Sequence, residues 1–197
     1  MSKEEHKLAA SDILPMAKYG LQRAEQRKKM SAFKKNRRVA VGPDVSFYFE
    51  SFETMSHQVH EMLFIEGGGE AQISGELEAY NPLVPNGREL VATFMIEIDN
   101  PERRGRVLAG LGGIEECLVL RLGNETILGV AEEDIDRTTA DGKASSIQFL
   151  HFPFTLDQVE KFRDPESTVT LSIGHKQYGH MANLTDVVKD ALANDFN

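Results

Sequence analysis

The chain has 197 residues, 41% apolar and 27% charged, which suits one folded domain with its own core and excludes a disordered or low-complexity polymer. Its formal net charge of −9 argues against a general nucleic-acid binder, because phosphates are held mainly by lysine and arginine. No apolar run approaches the roughly 20 residues needed to cross a bilayer, and the charged opening through Lys7 leads into no apolar stretch, so neither a membrane span nor a secretory signal is expected. The single cysteine, Cys117, cannot form an internal disulfide and reads as an inert thiol in a strand. These features together lead us to expect a cytoplasmic protein of bacterial type.

In chain order, Ser11-Asp12 before Ile13-Leu14-Pro15 predicts a helix running from about residue 12 to 36 as an arm on the body. Leu14, Ala17, Leu21 and Ala24 would be its apolar stripe. The period then changes to two. Val39 and Val41, the turn Gly42-Pro43-Asp44, and Val45, Phe47 and Phe49 predict a hairpin with one buried face.

Helical spacing returns over 53–66, with Met55, Val59, Met62 and Leu63 on one stripe and Gly67-Gly68-Gly69 as the break. A second helix is predicted over 70–80 on Ile73, Leu77 and Tyr80. Beyond it the chain is strand-rich. Strands are expected at 90–98, 117–122, 126–130, 146–154 and 169–173, with helices from Pro101, Thr155 and residue 183. Strand, short helix and strand recur over 90–122 and 146–174, which leaves duplication and shared architecture both open. The fold class is α+β: a mixed or antiparallel sheet with an N-terminal helix, a hairpin, two consecutive helices and a strand-rich C-terminal half, in a single domain over 1–197.

Charge is uneven along the chain. Between Arg23 and Arg38 there are eight basic residues and one acid, Glu25, leaving the remainder at −16. This segment could dock an acidic or redox protein partner; a solvated face that balances the body's charge accounts for the same residues.

Motif tests are mostly negative. Gly142-Lys143 is no phosphate loop, since Arg137 and Ala144 stand where glycine and a hydroxyl residue are needed. There is no Gly-x-Ser-x-Gly elbow and no Cys-x-x-Cys pair. The best chemical cluster is His57, His60 and Glu61 on one helix face, continued by Glu66. Imidazole and carboxylate there could hold divalent Fe, Mn or Zn. They could equally be a hydrogen-bonded histidine and an ion-paired glutamate. His151, His175 and His180 would add to a multi-histidine site only if the fold brings them to that helix.

Residues 58–66, Gln-Val-His-Glu-Met-Leu-Phe-Ile-Glu, and 76–85, Glu-Leu-Glu-Ala-Tyr-Asn-Pro-Leu-Val-Pro, carry a family resemblance. So do Asp12–Pro15, Glu89–Glu97, Asp141–Ser146 and His151–Phe154. On these segments the chain resembles the bacterial family known as domain of unknown function 3501 over nearly its whole length. The resemblance implies a gene neighbourhood of rubrerythrin-like and iron–sulfur oxidoreductase proteins, hence a role around iron or oxidative stress. His60-Glu61 fits the family pattern; His57 does not, because an aromatic residue is more usual there.

Three functions follow. The first is a metal- or small-ligand-binding accessory protein, with His60, Glu61 and Glu66 as metal ligands and Gln58, Asp141, Lys143 and His151 lining the ligand site. The second is an interaction module docking through Arg23–Arg38. The third is an enzyme with His60 or Glu61 as general base, which needs a shifted pKa and a pocket.

Overall fold

The structure is a computed structural model that describes residues 2–132, 138–139 and 142–197. A single 3-10 turn, Ala10–Asp12, precedes helix α1 (Met16–Lys35). Pro15 caps α1 in an extended conformation (ψ 132°), so the helix starts four residues later than the sequence suggests.

Strands β1 (Arg38–Val41) and β2 (Val45–Phe49) form the expected hairpin. Its turn places Gly42 at φ 75°, and a Cβ there would lie 2.6–2.7 Å from the His180 ring and the Tyr178 hydroxyl. Only glycine meets both constraints without strain. Ser51 caps α2 (Phe52–Glu66), and Gly67, left-handed at φ 68°, ends it. Helix α3 (Glu70–Tyr80) follows.

The remaining elements are β3 (Glu89–Ile96), α4 (Pro101–Ala109), β4 (Leu118–Leu122), β5 (Glu125–Leu128), β6 (Val130–Ala131) and β7 (Ile147–Pro153). Then come α5 (Leu156–Arg163), β8 (Val169–His175), β9 (Tyr178–Asn183) and α6 (Asp186–Ala193). Of these, β9 is not legible in the sequence. It is an edge strand exposed along most of its length, so it shows no apolar alternation, and its backbone pairing with β8 alone defines it.

The strands form two antiparallel sheets, ordered β1-β2-β3-β7-β6 and β5-β4-β8-β9. Their facing side chains, among them Phe47, Phe94, Leu120, Leu150, Phe152 and Leu171, form one apolar cluster. Phe154, Phe162 and Phe196 add an edge-on aromatic group with centroids 4.8–5.7 Å apart. The outer face of the first sheet is covered by helices. Val91 and Phe149 meet Met55, Val59 and Leu63 of α2 and Ile73, Leu77 and Tyr80 of α3. Each fully buried aliphatic side chain there stabilises the layer by about 1.5–3 kcal/mol.

The recurring strand–helix–strand pattern has a structural counterpart. The segments β2-β3-α4-β4-β5 and β6-β7-α5-β8-β9 occupy equivalent places: β3 pairs with β7 and β4 with β8, while β2, β6, β5 and β9 lie outside them in the same order. Both crossing helices start at a side-chain cap, Asn100 and Thr155. Helices α2 and α3 interrupt only the first unit.

Helix α1 docks by a face other than the expected one. Leu21 is 90% exposed and Ala17 and Ala24 are also exposed, whereas Tyr19 is 2% exposed. The apolar stripe reads as core by spacing, but α1 meets α2 through the buried and half-buried series Tyr19, Arg23, Gln26 and Met30 on the opposite side.

Candidate functional site: the groove between α1 and α2

Glu61 on α2 is the centre of the α1–α2 contact. It accepts the Tyr19 hydroxyl at 2.7 Å and the Arg23 guanidinium at two points, Nε at 2.9 Å and Nη2 at 2.8 Å. Arg27 Nε is 3.9 Å away. Arg23 holds the Glu61 carboxyl well below the usual range, at about 2, with help from Tyr19 and against the effect of burial. Phe64, one turn on, receives Arg23 on its face (4.8 Å) and Tyr19 at its edge (6.0 Å). Gly20 permits this approach, since a Cβ there would sit 2.9 Å from the Phe64 ring.

His60 is 6% exposed and both ring nitrogens are engaged. The Leu14 N–H donates to Nε2 at 2.9 Å, so the neutral ring carries its proton on Nδ1, which donates to the Ser56 carbonyl at 2.6 Å. No lone pair is left for a metal or for proton abstraction. Glu61, ionised and bound to Arg23, is equally unsuited to act as a base near neutral pH. Glu66 is exposed at the end of α2, where Gln72 donates to it. His60, Glu61 and Glu66 therefore do not converge. Among the described residues no group of three or more His, Cys, Asp and Glu side chains could hold a metal ion.

The other sequence-selected residues also separate. Gln58 lines the α1–α2 groove. Lys143 is exposed on a loop that is tied through the Ala144 N–H to Leu108 of α4. His151 on β7 pairs with Glu89 at 3.0 Å, and that carboxylate raises its pKa. His175 accepts from the Gln177 N–H, and His180 packs against Tyr178 at 4.5 Å. Asp141 lies outside the described residues. Cys117 is partly buried, and burial raises its thiol pKa.

What the fold does bring together is a groove of about 590 Å³ along α1, β1, β2 and α2. Arg27, Lys34, Lys35 and Arg38 line it with Tyr48, and Met30, Met62 and Ile65 add apolar surface. Arg38 pairs with Tyr48 across the hairpin, stacks on its ring at 5.1 Å and binds Glu97 at 2.8 Å. Lys34 and Lys35 have no carboxylate partner among the described residues. His57 also lines the groove; burial lowers its pKa, and Lys34 and Arg27 add to the shift against Glu61. It is a neutral imidazole near pH 7.

Arg37, counted in the basic segment by sequence, is withdrawn from this surface. It is 3% exposed and bound to the carbonyls of Phe49, Glu50 and Ala191 and to Asp195. Sequence reading also missed Tyr19 and Tyr48. The available signal was Tyr19 and Arg23 at i, i+4 facing Glu61 and Phe64 at i, i+3, a match visible only once the two helices are paired.

Among the described residues no helix is long and apolar enough to cross a membrane. No curated protein matches the chain. A crystal structure of a protein of unknown function from Burkholderia pseudomallei is similar, with 33% identity, a TM-score of 0.89, and coverage of 97% of this chain and 100% of that one. The sequence profile of a protein family of unknown function, DUF3501, matches residues 7–196, and the chain belongs to that family.

Proposed function

We propose that the protein is an interaction module whose α1–α2 groove docks an acidic segment of a partner protein. The observation that carries this reading is the convergence of Arg27, Lys34 and Lys35 on a groove with apolar residues Met30, Met62 and Ile65, in a chain that carries −16 outside residues 23–38. Lysines at a helix C-terminus are favoured by the helix dipole alone. That accounts for Lys34 and Lys35 but not for Arg27 or for the apolar residues beside them. A segment with glutamate or aspartate on one side and leucine-like residues on the other complements both features. Tyr48, Gln58 and the neutral His57 would hydrogen-bond to its backbone or side chains.

The test uses a 20-residue amphipathic peptide of glutamate and leucine, labelled for fluorescence anisotropy. Binding should be saturable, weaken at least tenfold when Lys34 and Lys35 are both changed to glutamate, and weaken as salt rises from about 50 to about 300 mM. Absence of saturable binding, or binding unchanged by Lys34→Glu with Lys35→Glu, contradicts it.

A further inference from the structure

A second pocket, unrelated to the groove, lies where the N-terminal segment, the end of α1 and the C-terminal residues meet. Its volume is about 600 Å³. Beneath it is an ion pair with little access to water: Arg37 has a side-chain exposure of 3% and Asp195 of 8%. Removing such a pair from water is costly, and proteins retain it only where geometry or function compensates.

The two partners are not equally satisfied. Arg37 donates through Nε to Phe49 O at 3.0 Å, through Nη1 to Ala191 O at 3.1 Å and through Nη2 to Glu50 O at 2.8 Å, besides its bond to Asp195 Oδ2. Asp195 Oδ1 has no hydrogen-bond partner among the described residues. The pocket therefore presents an open acceptor beside a guanidinium that is already occupied. Burial pushes the Asp195 carboxyl up to about 6, so it is ionised at neutral pH and gains from a donor.

The surroundings narrow the donor's chemistry. Phe33 and Phe52 line the pocket; Phe33 is 39% exposed, and its ring carries the Arg37 guanidinium 5.4 Å from its centroid, so the aromatic surface already faces a cation. A carboxylate beside aromatic rings is the combination that holds ammonium groups, through a charge-assisted hydrogen bond and cation–π attraction. The pocket already holds one such group: the Lys3 ammonium sits on Glu53, and both residues line it. An anion is disfavoured, because Glu53 and Asp195 are both present and the cations Lys3 and Arg37 are already paired.

We infer that this pocket binds a small organic amine as its ammonium ion, with the N–H groups on Asp195 Oδ1 and the hydrocarbon against Phe33 and Phe52. Ligand size is bounded by the pocket volume, which accommodates an arylalkylamine or a short aliphatic diamine. The inference does not depend on the acidic-segment reading, since the two cavities share no lining residue.

The experiment is calorimetric titration of the full chain at pH 7.5 with 2-phenylethylamine and, in parallel, with 2-phenylethanol, its neutral counterpart. The amine should bind saturably and at least tenfold more tightly than the alcohol. Asp195→Asn should remove that preference. Because Asp195→Asn leaves Arg37 without its counter-ion and could unfold the chain, Phe33→Ala provides the second arm: the ring is partly exposed, the fold should persist, and amine affinity should fall about three- to tenfold. No amine binding, equal binding of amine and alcohol, or amine binding unchanged in Phe33→Ala would each overturn the inference.

Discussion

At the scale of single residues, Glu61 shows how a chemically suggestive side chain becomes structural. Its helix neighbours His57 and His60 give the sequence the look of a ligand set. Tyr19 and Arg23 come from a helix 38 to 42 residues earlier and take both carboxylate oxygens. Replacing Glu61 by glutamine should cost about 1–3 kcal/mol in chemical denaturation, because Arg23 loses a charge-assisted bidentate partner in a half-buried position. The pH dependence has a definite sign. The folded-state pKa of Glu61 lies below the ordinary carboxylate value, at about 2, so its contribution is present above pH 4.5 and is lost as pH falls toward 2. The Glu61→Gln variant should therefore lose less stability than wild type over that interval. Equal losses would contradict the assigned role. His60 was legible as a helix-face histidine but not as a buried one, since nothing local reveals that the Leu14 N–H reaches its ring from 46 residues away.

At the scale of elements, most of the fold could be read from periodicity because local rules coincide with tertiary packing. The β1–β2 hairpin alternates, α2 starts at Ser51 and ends at Gly67, and α5 starts at Thr155. Reading failed where burial and sequence pattern part, and the single strand expected over 126–130 is β5 and β6, in different sheets. Edge strand β9 buries little, so it has no pattern to read. Helix α1 turns its alanine and leucine stripe to solvent and docks mainly by the hydrogen bonds of Tyr19 and Arg23 to Glu61 and by the Tyr19 ring against His60 and Phe64, which hydrophobic spacing cannot detect. The β1–β2 turn offers a sharp test of element packing. Gly42→Ala combines a left-handed φ with a Cβ overlapping His180 and Tyr178, so it should destabilise the protein by about 2–4 kcal/mol in thermal or chemical unfolding. A change below about 0.5 kcal/mol would show that β9 does not pack on this turn as described.

At the scale of the whole molecule, two equivalent β-rich halves form the two sheets, and the helices inserted between β2 and β3 create a third layer on one side. The helical layer and the start of the hairpin hold the groove, so its residues come from distant parts of the chain: Arg27 and Lys34 from α1, Arg38 and Tyr48 from the hairpin, Gln58 and Met62 from α2. The sequence displayed the basic segment as a run of charge. It could not display that Arg37 is buried, that Arg23 serves Glu61, or that the remaining cations border apolar side chains from another helix. Burial of one guanidinium and pairing of another reduce the run to a smaller, directional surface, and that surface is the basis for the docking proposal.

The most direct measurement is an amide chemical-shift map of the protein titrated with the acidic amphipathic peptide. The largest shifts should fall in the α1–α2 groove, at Arg27, Lys34, Lys35, Tyr48, Gln58 and Met62, with the second sheet unperturbed at β4, β5 and β8. Shifts centred on the solvent-facing side of α1 around Leu21, or on β4, β5 and β8, would contradict it.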